Sequence, residues 1–457
     1  MIPFRACGWG LALVFATAAS LAAQAPSLTA PVTVDTVANG LTVIVHEDQS
    51  VPVAAVNIWY HVGSGDEKAG RTGFAHLFEH LMFMGSEYAE YPTFDRMLEA
   101  AGANNNGSTT EDRTNYYEWG PSNALALMLW LEADRMGGLL PVMTGGKVDL
   151  RRDVVKNERR QSSENQPYGL ATETILALLY PAGHPYSWPV IGSMTDLSAA
   201  SLGDVQDFFR SHYVPNNATL VVAGAVKTSE VLRLAGEYFG HIPRGPALPR
   251  ATAEAARLAR DTSGVLEERV QAARLYYVWP TVKDQADDAA ALNLLAYLLS
   301  GEKNSRLTQA MAYEDQSASG VFAFQDGKRL AGDFWIVATA RPGKGLPELQ
   351  GTLAPELNRL TNDGPTAREL DQAKNSTEAN LFRQLETVNE KADQLNSYFV
   401  RTGTADGFAA ELSRYRAVTA ADIQRVAKRY LQAPRVMLSV VPQGHPELAA
   451  TPTQVTP

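Results

Sequence analysis

GFAHLFEHLMFMGS, residues 73–86, places two opposing demands on one segment. Phe74, Leu77, Phe78, Leu81, Met82 and Phe83 suit a helix set into a hydrophobic core. The same run carries His76, Glu79 and His80. Burying three such groups without a shared partner costs several kcal/mol. Helical geometry supplies the partner. Residues four apart lie on one face, so His76 and His80 direct both imidazoles to one point. Zinc accepts imidazole nitrogen at about 2.0–2.1 Å. Glu79 is offset around the helix and can flank such an ion without ligating it. Zinc lowers the pKa of its water to about 7, so a carboxylate there suffices as a base near neutral pH.

A tetrahedral catalytic zinc site needs a third protein ligand and one open position. Cys7 is the only cysteine and lies in the N-terminal apolar segment. His46, His61, His184, His212, His241 and His445 are each isolated in a strand, turn or loop. A carboxylate on another helix is more attractive. The charged helix DLRRDVVKNERRQSSEN offers Glu158 among Arg151, Arg152, Lys156, Arg159 and Arg160. On spacing alone it is one candidate among several.

Around the triplet the chain alternates strands and helices. VDTVANGLTVIVHED contains Asn39-Gly40 and reads as a β-hairpin. VPVAAVNIWYHVGSGDE reads as a strand ending in a turn, and YPTFDRMLEAAGA as a helix stopped by Gly102. NNNGSTTEDRTNYYEWG reads as one exposed strand, NALALMLWLEADRM as an apolar helix and NATLVVAGAV as a buried strand. Residues 244–264 are rich in proline, small residues and charge and read as a linker. Beyond it the order repeats: strand RLYYVWP, polar turn, helix AALNLLAYLLSG, strand DFWIVATA. Setting Gly301 against Gly85 places Leu292, Leu295 and Ala296 where His76, Glu79 and His80 stand. The expectation is α+β: two duplicated domains, 30–243 and 265–445, each a mainly antiparallel sheet packed by helices on one side. The second keeps the scaffold without the polar triplet.

The length of 457 residues fits two domains, and 45% hydrophobic residues exclude a disordered chain. A formal net charge of −10 gives no basic footprint for nucleic acid. Arg5 followed by WGLALVFATAASLAA and small residues reads as a signal peptide, residues 1–23, with cleavage near Ala23. An uncleaved membrane anchor is the alternative. Removal of Cys7 with this segment leaves neither disulfides nor thiolate ligands. No later stretch is apolar for long enough to span a bilayer. An exported, periplasmic protein is expected.

AHLFEHLMFMGS and RRDVVKNERRQ resemble the pitrilysin, insulysin and mitochondrial processing peptidase family of zinc metallopeptidases, whose His-x-x-Glu-His order defines the inverzincins. NNGSTTEDRTNYYE, HPYSWPVIGSMTDL and FFRSHYVPNNATLVVAGAV resemble further family segments, so the likeness extends over nearly the whole mature chain. The resemblance implies that Zn2+ is held by His76, His80 and Glu158, with Glu79 as general base. It also implies that Asn106, Gly107, Ser108 and Thr109 form an edge strand to which a substrate peptide adds as a further strand.

Two positions depart from the family pattern. Arg151 stands seven residues before Glu158, where the family often has a second glutamate. The Arg and Tyr with which family enzymes grip substrate fall on Ala312 and Ser319, and Tyr313 lies one residue off the Arg position. The resemblance therefore implies a heterodimer with a related subunit that carries the Arg/Tyr pair. The function expected is hydrolysis of unstructured peptides. The alternative is a non-catalytic assembly or peptide-binding subunit of the same fold.

Overall fold

The computed structural model describes residues 29–451; the signal peptide expected over 1–23 and Cys7 lie outside the described residues. Among the described residues, eleven strands form two sheets. The first contains β1 (Thr33–Thr36), β2 (Thr42–Glu47), β3 (Val53–Tyr60), β4 (Asn104–Thr109), β5 (Thr114–Pro121) and β6 (Ala218–Gly224). The second contains β7 (Thr262–Glu268), β8 (Arg274–Thr281), β9 (Ala318–Gly327), β10 (Gly332–Ala340) and β11 (Val436–Pro442). Their spatial orders are β1-β2-β6-β3-β5-β4 and β7-β11-β8-β10-β9. In each, one parallel pair (β2 with β6, β7 with β11) is followed by antiparallel neighbours. The second sheet thus repeats the last five positions of the first, in order and in sense.

NNNGSTTEDRTNYYEWG, expected as one exposed strand, is instead a hairpin. β4 forms the sheet edge and β5 lies inside it, with Thr114, Asn115 and Tyr116 buried. Strand β7 begins at Thr262, inside the stretch read as linker, and Ala450, beyond residue 445, is buried in the second core.

Seven helices suffice to place the site: α1 (Phe74–Leu81), α2 (Leu125–Gly138), α3 (Gly145–Arg159), α4 (Ala171–Leu179), α5 (Ala289–Ser300), α6 (Val388–Thr402) and α7 (Phe408–Ala417). Leu77, Phe78 and Leu81 of α1, with Met128 and Leu129 of α2, pack on Val43, Val56, Ile58 and Leu220 of the first sheet. Leu292, Leu295 and Ala296 of α5 pack on Leu275, Tyr277 and Trp279 of the second.

The expectation of helices on one side only is overturned. Ile44, Ala55, Val221 and Ala223, on the reverse face of the first sheet, are covered by Ala392, Leu395 and Tyr398 of α6 and Phe408 of α7. The reverse face of the second sheet, Val278, Val436 and Leu438, is covered by Ile175, Leu176 and Leu179 of α4. The second half therefore lends α6 and α7 to the first sheet, and the first half lends α4 to the second. The physical signal lies in β6, ATLVVAG, which is buried at every position; a strand buried on both faces has no polar alternation.

A fragment of residues 30–243 exposes that reverse face. Each large aliphatic side chain loses about 1.5–3 kcal/mol of burial. The fragment is expected to lack the cooperative urea unfolding of the full chain, with denaturant curves by fluorescence as the check.

The halves also meet beside β4. Asp112 Oδ2 accepts from the Arg329 N–H of the second half at 2.8 Å, while its Oδ1 accepts from the Tyr186 hydroxyl of its own half at 2.6 Å. Among the described residues no helix is long and apolar enough to cross a membrane.

Candidate metal centre

Helix α1 is started by Gly73 at φ 88°, a backbone conformation open to glycine. A Cβ there would stand 2.7 Å from the Ile191 carbonyl oxygen and 3.0 Å from Gly192 Cα. The Glu67 carboxylate caps the helix, accepting from the N–H groups of Gly73 (3.0 Å) and Ala75 (2.8 Å). Burial pushes its pKa up to about 8, against the opposing pull of those backbone donors. Phe78 stacks on Tyr213 with ring centres 4.9 Å apart, and the Tyr116 hydroxyl donates to the Phe78 carbonyl at 3.1 Å. One face of α1 is thereby pinned to the core, and His76 and His80 occupy the other.

Gly73→Ala is expected to cost at least ~2 kcal/mol, from left-handed strain and the Ile191 clash. A lowered Tm together with weakened metal uptake is the expected observation.

Glu158 arrives from α3. Thr144 caps that helix by accepting from the Lys147 N–H, and Val148, Val155 and Arg159 bury one stripe of it. The buried Arg159 donates to Glu173 of α4 at 2.7 Å, which anchors the helix end beside Glu158.

The three side chains converge. His76 Nε2 and His80 Nε2 are 3.4 Å apart. Glu158 Oε1 lies 3.6 Å from His76 Nε2, and Oε2 lies 3.1 Å from His80 Nε2. One ligand atom from each falls within 4.8 Å of the others. A tetrahedral ion with bonds of about 2.0–2.1 Å holds its ligands roughly 3.3 Å apart, so this donor set fits a zinc-sized cation. Burial and the neighbouring His80 push His76 toward its neutral, ligating form. The hydrogen bond from His80 holds Glu158 below the usual carboxylate range.

Glu79 does not join the three donors. Its Oε2 accepts from the Thr109 hydroxyl of β4 at 2.6 Å. Gly107 makes room for it, since a Cβ there would stand 3.3 Å from Glu79 Cγ. Asn106, Gly107, Ser108 and Thr109 lie on β4, the edge of the first sheet, bonded to β5 on one side.

Arg151 donates from Nε to Met84 Sδ at 2.7 Å and lies over the Tyr91 ring. It thereby packs against the loop that follows α1. The Ala312 carbonyl accepts from Arg341 at 2.9 Å, Ser319 donates to the Thr339 carbonyl at 3.2 Å, and Tyr313 is exposed.

Sequence reading missed Glu67, Arg113 and Asn115. Glu67 was detectable as an acid shortly before a helix start. Arg113 and Asn115 act through contacts on and beside β4 that no spacing rule marks.

Residues 42–183 match the family described as insulinase (peptidase family M16), and residues 199–377 match the peptidase M16 inactive domain. The chain is 29% identical to the zinc protease PqqE of Helicobacter pylori over 406 residues, covering 87% of this chain and 89% of that one. It is 24% identical to a probable mitochondrial-processing peptidase subunit beta of Arabidopsis thaliana, covering 92% and 80% respectively. The crystal structure of a protease from Helicobacter pylori superposes with a TM-score of 0.85 at 26% identity, covering 90% of this chain and all of that one. The triplet falls within the insulinase match, and the apolar counterpart Leu292, Leu295 and Ala296 within the inactive-domain match. With its paired sheets, the chain belongs to the pitrilysin and mitochondrial processing peptidase family of metallopeptidases (M16), in the two-domain form.

Proposed function

We propose that this chain is the metal-binding subunit of an exported, periplasmic zinc endopeptidase that hydrolyses unstructured peptides. The convergence of His76, His80 and Glu158, with Glu79 beside them, carries the reading. The zinc protease named among its relatives supports the choice of ion. His76, His80 and Glu158 would hold the zinc. When bound, zinc supplies polarisation of the scissile carbonyl and increased acidity of water.

The protein's own groups do the rest. An extended peptide pairs with the free edge of β4, which needs main-chain groups and little sequence. Glu79 accepts a proton from the attacking water and returns it to the leaving amine nitrogen. The Thr109 hydroxyl on Oε2 fixes the rotation of that carboxylate.

Ala312 and Ser319 supply neither a cation nor a phenol for gripping substrate. A related partner subunit bearing an Arg/Tyr pair is therefore part of the proposal. Co-purification from the native source tests it, with zinc analysis and a fluorogenic unstructured peptide. The purified chain alone is expected to cleave slowly and the co-purified pair fast. Full-rate cleavage by the chain alone would remove the need for the partner. A pair without zinc or turnover would leave an assembly or peptide-binding subunit as the function.

A further inference from the structure

Helix α6 belongs to the second half of the chain but covers the reverse face of the first sheet. Its Asp393 uses one oxygen, Oδ1, to accept three side-chain donors. These are Trp59 Nε1 at 3.0 Å, Asn115 Nδ2 at 3.0 Å and Asn57 Nδ2 at 3.2 Å. Asn115 is buried, and the bond from its Nδ2 to Asp393 and the donors on its Oδ1 together set which way its amide points. Asn115 Oδ1 faces β4, accepting from Ser108 Oγ at 2.7 Å and Arg113 Nη1 at 3.2 Å. Arg113 Nη1 also donates to the Ser108 carbonyl (2.7 Å) and Ser108 Oγ (2.6 Å). A reversed Asn115 would turn its NH2 against the Arg113 guanidinium, placing donor against donor. The next residue on β4 is Thr109, whose hydroxyl holds Glu79.

We propose that Asp393 is a positioning residue for peptide hydrolysis: by orienting Asn115 it fixes Ser108 and Arg113, and through β4 the Thr109–Glu79 contact. This rests on the peptidase reading of the metal centre. It makes the second half, which has no counterpart of the metal triplet, a determinant of where the general base stands. Burial lowers the pKa of Arg113, and the nearby carboxylates of Asp393 and then Glu79 oppose that shift.

A second tie from the same helix provides the control. Lys391 Nζ bonds Asp48 Oδ2 at 2.6 Å and joins α6 to the first half through a contact separate from those of Asp393 and Asn115. The test compares Asp393→Ala, Asn115→Ala, their double variant and Lys391→Met. Each is made in the zinc-loaded chain with whatever subunit co-purifies, and zinc content, Tm, kcat and KM are measured.

Asp393→Ala and Asn115→Ala are each expected to keep one zinc per chain and lose at least about tenfold in kcat. The double variant is expected to lose no more than the worse single one, because both break one chain of contacts. Lys391→Met is expected to keep kcat within about twofold while lowering Tm comparably. The inference is overturned if Asp393→Ala keeps kcat within about twofold, if the two losses multiply, or if Lys391→Met loses as much. If Asp393→Ala does not fold, Asn115→Ala against Lys391→Met decides by the same criteria. A wild-type complex that lacks zinc-dependent hydrolysis, or a Glu79→Gln variant as active as wild type, would instead overturn the underlying reading, and the inference with it.

Discussion

Glu79→Gln is expected to retain one zinc per chain and to lose between about 10²- and 10⁴-fold in kcat, the range for removing a general base. Glu79 is a neighbour of the three converging donors and contributes none of them. The amide keeps the size of the carboxylate and can still accept from the Thr109 hydroxyl that now bonds Oε2. β4 and α1 should therefore keep their packing, including the room that Gly107 leaves for this side chain. What the amide cannot do is take a proton from water near neutral pH. The loss belongs in kcat and kcat/KM alike, with KM little changed, because the missing interaction is made in the transition state. A variant that turned over normally would remove Glu79 from the mechanism.

His80→Ala is expected to lose the zinc itself. His80 Nε2 sits 3.4 Å from His76 Nε2 and 3.1 Å from Glu158, so it contacts both other donors. Its removal leaves two donors for an ion that takes three protein ligands in catalytic sites. In wild type, zinc that binds the folded state raises Tm by mass action, and the rise grows with free zinc. The variant is expected to show no such rise and no turnover above background. Its zinc-free Tm should fall only by what the His80–Glu158 hydrogen bond contributes, because Phe78 and Leu81, and not His80, belong to the core. Differential scanning fluorimetry across a zinc titration measures both quantities.

The His76–Glu79–His80 triplet was legible because an i, i+4 histidine pair in an apolar helix has few other uses. Glu158 was legible only through family spacing, since its helix offers several charged residues with the same local pattern. The strand–turn–helix order repeats in the sequence, and the two sheets repeat a strand order. The exchange of helices between halves was not legible in α6. An amphipathic stripe states that a helix has a buried face, and says nothing about which sheet will meet it. The full burial of β6 was the available clue. The β4–β5 hairpin was missed because its turn, Thr110 to Arg113, contains neither glycine nor proline. Thr110 closes the turn instead, with its N–H donating to the Arg113 carbonyl at 2.9 Å. The link from Asp393 to Asn115 spans 278 residues of sequence, beyond any local rule.

Anomalous diffraction at the zinc edge from crystals of the purified chain tests the central claim most directly. The expected result is one strong peak enclosed by His76 Nε2, His80 Nε2 and the Glu158 carboxylate, absent from His80→Ala crystals grown alike. A map with no peak there, or with its only peak at other residues, would contradict the proposed zinc centre.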